Sequence, residues 1–341
     1  FVGPWFDILL LAGFPTFLII IFSVKFLYLH FSGGLADAYL YTALSFPHIL
    51  VGLGIVYLYR REITEKPLQF IWIPLIFVSI LITSVLLQNY NGLAIVRYSG
   101  GGLHIFIQDY CILGLYKLRN NDYLKLDKVI DYSSLAVMHS DYVVRGLPFA
   151  LKTYLGRTTP TINTLMTIMT PFLRNYWRPL INFILITFLL RQVYLYLWYK
   201  KIYVFKILML FAIFLSCFYL LYMTRKVAVA YQSMIYLHDI KWIFWCWFYG
   251  HLKFKQDIFK ETKFASYIFR PRHPAVYLLF LGLISIVYNY FLTFRMLLTH
   301  GKLIQTPFAV FHFFIETVIW RTSRMRKVVS VSSLAQKDYI K

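Results

Sequence analysis

Charge is what this sequence has least of. Asp, Glu, Lys and Arg make up 14% of its 341 residues, against roughly 25% in an ordinary soluble domain, so too few are present to cover a water-facing surface. Cysteine is nearly absent. Cys111, Cys217 and Cys246 all lie in apolar tracts and none has a CxxC partner, which excludes a disulfide framework and a zinc ribbon. No internal repeat or low-complexity tract is visible, so one domain over 1–341 is expected rather than several. No signal peptide is recognisable, and a chain starting at Phe1 instead of Met is expected to lack a few preceding residues.

Apolar residues fill the space that charge leaves. They account for 60% of the chain, and aromatic residues for 20%. Tracts such as 71–87 and 204–222 are long and almost free of charge. As helices of roughly 20 residues, such tracts cross a hydrocarbon core about 30 Å thick. Their continuity, without period-two alternation, argues for helices over a barrel. The expected fold is therefore all-α, a polytopic integral membrane helical bundle of about 9–10 transmembrane helices. The expected spans are 4–29, 37–59, 68–88, 92–117, 178–198, 203–224, 227–250, 275–298 and 304–320, with a further crossing in 143–173.

The formal net charge of +21 does not call for nucleic acid, because the cations fall in loops between spans and no basic patch with a recognised fold is present. They form five clusters: Arg60, Arg61 and Lys66; Lys117, Arg119, Lys125 and Lys128; Lys200, Lys201 and Lys206; Lys253 through Arg272; and Arg321, Arg324, Arg326 and Lys327. Placing all five in the cytoplasm gives an alternating path with both termini inside, facing anionic lipid. Arg174, Arg178, Arg225 and Lys226 fall on the opposite side. The stretch 251–274 mixes Phe254, Ile258, Phe259 and Phe264 with lysines, as an amphipathic cytoplasmic loop lying on the surface would. Trp242, Trp245, Trp247 and Phe248 read as part of an interfacial aromatic belt.

Ionisable groups inside spans are costly and usually face an interior that compensates them. Four of the nine histidines fall near the middle of four different spans: His48, His104, His238 and His312. At about 1.5 Å per residue they share one depth within a few residues. Carboxylates accompany them. Glu316 follows His312 by four positions, so both project from one helix face. Gln108 stands in the same relation to His104, with Asp109 beside it. Asp239 follows His238 directly and is expected to point elsewhere on its helix. Imidazole and carboxylate together suit iron, manganese or zinc. His30 and His300 sit at span ends, His251 and His273 flank the loop, and His139 lies in a polar HSDY cluster. Arg191 is the most central arginine and is placed to neutralise a buried carboxylate or a substrate head group. The triple glycine at 100–102 and Pro47 permit close helix approach or a freed backbone carbonyl near the site.

The Pro47–His48 pair in an early span, followed by later intramembrane histidines, resembles membrane-embedded histidine-rich metal oxygenases, in particular the bacterial Brp/Blh type of carotenoid-cleaving dioxygenase. The chain departs from that pattern in having no paired H-x-x-x-H in one span; Glu316 accompanies its later candidates instead. The histidine boxes of fatty-acid desaturases are absent. The resemblance implies metal-dependent oxygen chemistry on a lipid-soluble substrate.

The reading that unites these observations is an iron-dependent membrane metalloenzyme that oxidises, desaturates or cleaves a lipid-soluble substrate. His48, His104, His238, His312 and Glu316 would hold a metal ion, iron or di-iron, with zinc as an alternative. Asp109 and Asp239 would orient imidazole N–H groups. The implied partners are membrane lipids, a hydrophobic small-molecule substrate and an electron-donor protein. Two other classes fit the same residues: a bis-histidine haem electron carrier and a transporter with a polar site at the midplane.

Overall fold

The structure, a computed structural model, describes residues 7–8, 12–13, 16–31, 40–57, 60–87, 90–120, 122, 124–155, 164, 167–168, 171–216, 227–255, 268–269, 274–295, 309 and 311–316. Among them the regular elements are all helical: α1 (Thr16–His30), α2 (Phe46–Tyr57), α3 (Arg60–Glu65), α4 (Ile73–Leu86), α5 (Tyr90–Arg119), α6 (Lys125–Leu155), α7 (Arg178–Tyr199), α8 (Val204–Phe214), α9 (Val227–Lys255) and α10 (Pro274–Arg295). The cation cluster Arg321, Arg324, Arg326 and Lys327 lies outside the described residues, as do His273, His300, Cys217, Arg225, Lys226, most of the loop 251–274 and parts of the expected spans 143–173 and 304–320.

Among the described residues, the five-residue π-helical turns Tyr41–Ser45, Leu68–Trp72 and Leu173–Trp177 each run straight into an α-helix. In every case the second residue of that α-helix is a proline: Pro47, Pro74 and Pro179. A proline ring collides with the carbonyl four residues back and donates no hydrogen bond. Widening the preceding turn relieves both problems without ending the helix. The chain thus stays helical through 41–57, 68–86 and 173–199, and the proline locally re-aims the residues of the wide turn.

The chain packs as two compact units, one of Phe1–Gly3, Ser23–Leu87 and Ile235–Lys341, the other of Pro4–Phe22 and Gln88–Met234. In the first unit α10 lies against α2 and the π turn before it. Its core is aromatic: Trp242, Trp245 and Tyr277 are fully buried, and the Tyr277 hydroxyl donates to the Ile243 carbonyl at 2.9 Å. Gly250 admits the Phe269 ring, whose Cε1 would stand 2.7 Å from any Cβ built there. The tryptophans read in sequence as an interfacial belt are therefore core residues, enclosed by neighbours that come from elsewhere in the chain. His251, expected at a wetted loop, is also buried and stacks on Trp247 at 6.1 Å.

In the second unit α6 is the hub, with α5, α7 and α8 packed on it. Helices α5 and α6, close in sequence, lie side by side. Between them and α8 sits a closed ionic quartet. Lys117 Nζ is 2.7 Å from Asp122 Oδ2 and also pairs with Asp131. Lys206 Nζ reaches the same two carboxylates at 3.1 and 3.0 Å, and lies 4.7 Å from the centre of the Tyr203 ring. Lys117 and Lys206 are 7% and 3% exposed. The sequence reading that put both in wetted cytoplasmic loops is corrected here. Two ammonium groups and two carboxylates cancel, and only such pairing makes buried charge tolerable. Arg191 likewise holds the buried Asp127, Nε to Oδ1 at 2.5 Å. Burial pushes the Asp131 carboxyl above the usual carboxylate range, against the opposing pull of Lys206 and Lys117.

One helical stretch among the described residues, Asn175–Tyr199, with 25 residues and a mean hydropathy of 1.7 over an 18-residue window, is long and apolar enough to cross a membrane. Shorter apolar helices cover Thr16–Leu27, Ala43–Gly54, Leu68–Ser84, Val204–Phe214 and Val276–Val287. Helices α5 and α9 have 30 and 29 residues, ample length at about 1.5 Å per residue, but carry the histidines, aspartates and lysines that lower their hydropathy. The outer surfaces of several helices are apolar. Ile19, Phe22, Phe26 and Leu29 are exposed on α1; Leu75, Ile76 and Ile80 on α4; Phe183, Ile186 and Leu190 on α7; and Leu279, Leu283 and Ile286 on α10.

Candidate metal centre

Three segments of the first unit build a buried cluster of imidazoles and carboxylates. Helix α2 supplies His48, α9 supplies His238 and Asp239, and the helical stretch 311–316 supplies His312 and Glu316. None of the five is more than 3% exposed. His48 is the hub. Its Nε2 lies 2.9 Å from His312 Nε2, its ring meets that of His312 edge-on at 4.6 Å, and it meets His238 edge-on at 5.1 Å. One turn beyond His312, Glu316 brings Oε1 to 3.5 Å from His312 Nδ1.

Two overlapping ligand sets result, both centred on His48. The donor atoms of His48, His312 and Glu316 lie within 4.8 Å of one another, and so do those of His48, His238 and Asp239. The Ser45 hydroxyl, at the end of the π turn that accommodates Pro47, donates to Asp239 Oδ2. The sequence reading had Asp239 pointing away from His238, since neighbours on a helix are about 100° apart. Both side chains nevertheless reach one corner beside His48, and Ser45 holds the carboxylate there.

The donors fit a metal ion. Two nitrogens bound at right angles to one ion, each about 2.0–2.2 Å from it, stand about 3 Å apart, close to the 2.9 Å between the His48 and His312 Nε2 atoms. Donors on opposite sides of an ion are about 4.4 Å apart at most, so the wider pairs close by movements of tenths of an ångström. Ionised, Glu316 and Asp239 would together carry two negative charges, which a divalent cation would balance where water cannot. A haem iron fits the His48–His312 pair poorly. Axial nitrogens on opposite sides of an iron are about 4 Å apart with the macrocycle between them, and rings at 2.9 Å leave no room for it.

Gly52 is a part of this centre that the sequence reading missed. It lies one turn after His48 on α2, on the same face. A Cβ at this position would run into the Glu316 carboxylate oxygen, and would stand 2.8 Å from Glu316 Cδ and 2.9 Å from His312 Cε1. The available signal was a glycine four residues after a mid-span histidine, where a bare backbone lets a partner side chain approach. Gly52→Ala is expected to displace Glu316 and lower metal affinity about 10- to 100-fold, the range seen when groups that orient ligands are lost. Metal retained after dialysis against graded chelator checks this, with unchanged retention as the contrary result.

The remaining sequence candidates lie in the second unit. His104, Gln108 and Asp109 are buried on α5. Asp109 Oδ2 is 3.1 Å from Nε2 of His139 on α6, so it orients an imidazole, but one that the HSDY motif alone did not single out. Phe106 closes over His139 edge-on at 6.1 Å.

Compared with known proteins, the chain matches no protein-family profile, no curated protein and no solved structure.

Proposed function

We propose that this chain is a multi-pass membrane metalloprotein whose centre, held by His48, His238, His312, Glu316 and Asp239, carries out oxidative chemistry on a lipid-soluble substrate. The observation that carries the reading is the convergence of three imidazoles and two carboxylates from three separate segments into one buried cluster. From the first unit alone, each ligand set offers two histidines and one carboxylate, a composition that would suit non-haem iron with coordination positions left open for oxygen or substrate. Such a metal, when bound, would supply Lewis acidity and one-electron redox steps. The side chains do the rest: Ser45 fixes the Asp239 carboxylate, Gly52 gives Glu316 its place, and the surrounding tryptophans exclude water.

Membrane residence is supported by the apolar outer faces of α1, α4, α7 and α10. A helix apolar on its outward side needs lipid or protein to cover it. The helices 41–57, 68–86 and 173–199, each continued through a proline, are the kind of interrupted span that lipid-buried bundles tolerate. A hydrophobic substrate would reach the cluster from the bilayer.

Metal analysis of protein purified in detergent without chelator tests this directly. Bound iron near one or two equivalents is expected, and its oxidation state should respond to dioxygen. Protein that is folded yet binds no transition metal after reconstitution with ferrous, zinc or manganous ion overturns the reading. Transport of a solute into proteoliposomes without metal would point instead to the transporter class.

A further inference from the structure

We propose that Trp242 and Trp245 form a one-electron relay joined to the metal centre through His238, and this rests on the redox-metal reading above. Four aromatic rings stand in series along α9. His238 and Trp242 are nearly parallel, 6.3 Å apart at 11°. Trp242 and Trp245 follow at 6.4 Å, and Trp245 meets Phe248 at 5.5 Å. The spacing 238, 242, 245, 248 keeps all four on one stripe of the helix. Electron tunnelling falls steeply with distance, so two steps between adjacent rings outpace one long jump. The stripe begins at a metal-ligand side chain, which is what a relay requires and what packing alone does not.

Residue type sets where the relay ends. Indole gives up an electron far more readily than the phenyl ring of Phe248, so the vacancy comes to rest on Trp245. Both indoles are fully buried, which keeps water from reacting with a radical there. Trp247 provides an internal comparison: it is also buried, but it stacks on His251 at 6.1 Å and stands off the stripe.

The electron count closes with a peroxide as oxidant and a one-electron reductant of the ascorbate class. With iron bound, the peroxide would be reduced to two waters, its O–O bond broken and two protons taken up, by one electron from the ferrous ion and one from the Trp242 indole, which is left as a radical cation. An electron from Trp245 refills Trp242 and moves the vacancy outward. Ascorbate then returns one electron to Trp245 by tunnelling through the surrounding protein, gives up a proton to water and leaves as its own radical, and no bond in either indole is made or broken. The relay protects the ligand histidines by drawing off oxidising equivalents when no substrate is present.

The experiment loads the full chain with ferrous iron, confirms occupancy by metal analysis, mixes it with hydrogen peroxide and freezes it for electron paramagnetic resonance. Expected is a tryptophan radical whose hyperfine pattern narrows when the protein is grown on ring-deuterated tryptophan. Trp242→Phe should abolish it, Trp245→Phe should confine it to a signal decaying several-fold faster, and Trp247→Phe should leave it unchanged. Ligand-histidine oxidation, read by peptide mass spectrometry, should rise several-fold in Trp242→Phe. Iron bound at full occupancy in the wild type with no tryptophan radical overturns the relay while leaving the metal centre standing, and needs no variant to fold. An unchanged radical in Trp242→Phe overturns it as well. Iron bound in none of the proteins overturns the metal reading and the relay together.

Discussion

Replacing His312 with alanine is expected to strip the protein of its metal, weakening binding by more than about 100-fold, since even groups that only orient ligands cost 10- to 100-fold when lost. His312 touches both halves of its ligand set, His48 at 2.9 Å and Glu316 at 3.5 Å. Its loss removes one nitrogen donor and releases the other two groups from their mutual arrangement. His48→Ala should be as damaging or worse, because His48 belongs to both ligand sets. Glu316→Gln keeps the shape but removes a charge that balances the ion, so binding should weaken less than in His312→Ala. Retention measured against a competing chelator ranks the three. Folding is controlled by melting temperature: a folded variant without metal should melt where chelator-treated wild type does, because a ligand that binds only the native state stabilises it by mass action. Near-stoichiometric metal in both His48→Ala and His312→Ala would sink the proposed centre. His104→Ala, measured in parallel, tests the remaining histidine that the sequence nominates.

The helical class was legible from the start, because continuous apolar runs without alternation leave no other regular structure. The described shorter apolar helices fall within the tracts the sequence marks as spans. What the sequence carried less openly is how those tracts tolerate proline. Pro47 was visible as a break, but the π turns that absorb Pro47, Pro74 and Pro179 depend on the whole helix holding its course. That choice is made by packing against neighbours such as α10, not by the local triplet.

The centre was partly legible for a similar reason. A histidine in mid-span is expensive wherever it points, so His48, His238 and His312 stand out from composition and position alone. The direction of Asp239 did not, because helix angle decides where a Cα–Cβ bond points and the partner decides where the carboxylate ends. That partner is Ser45, 194 residues away in sequence. Gly52 was hidden in an apolar stretch, where its meaning is the empty space left for Glu316. The tryptophans of α9 were misplaced because amphipathic indoles suit an interface and a core equally well. Pairing over a long separation is likewise what sequence position cannot give for Lys206, 84 and 75 residues from Asp122 and Asp131, and Lys117 looks like a loop cation until the fold encloses it with the same two carboxylates.

Lys206→Met is expected to destabilise the second unit by about 3–5 kcal/mol, the cost of removing one partner from a buried ion pair. The methionine fills most of the space of the lysine stem, so the loss is electrostatic: Lys117 alone would face Asp122 and Asp131. One carboxylate then sits buried without its balancing charge. Burial already raises the Asp131 carboxyl above the usual range, and the positive charge of Lys206, with that of Lys117, holds it down. Without Lys206 its affinity for a proton rises further. A carboxyl whose folded pKa is raised stabilises the fold at low pH and loses that contribution as pH climbs through the folded value. The deficit of Lys206→Met relative to wild type should therefore be largest at neutral and alkaline pH and shrink on acidification. Adding Asp131→Leu removes the orphaned charge and should recover most of the loss at neutral pH, since replacing a buried pair by apolar groups is often close to neutral. Thermal unfolding in detergent across a pH series reads all three proteins. A Lys206→Met deficit that is small and independent of pH, or a double variant less stable than the single one, would mean that the quartet does not bear on the stability of α5, α6 and α8.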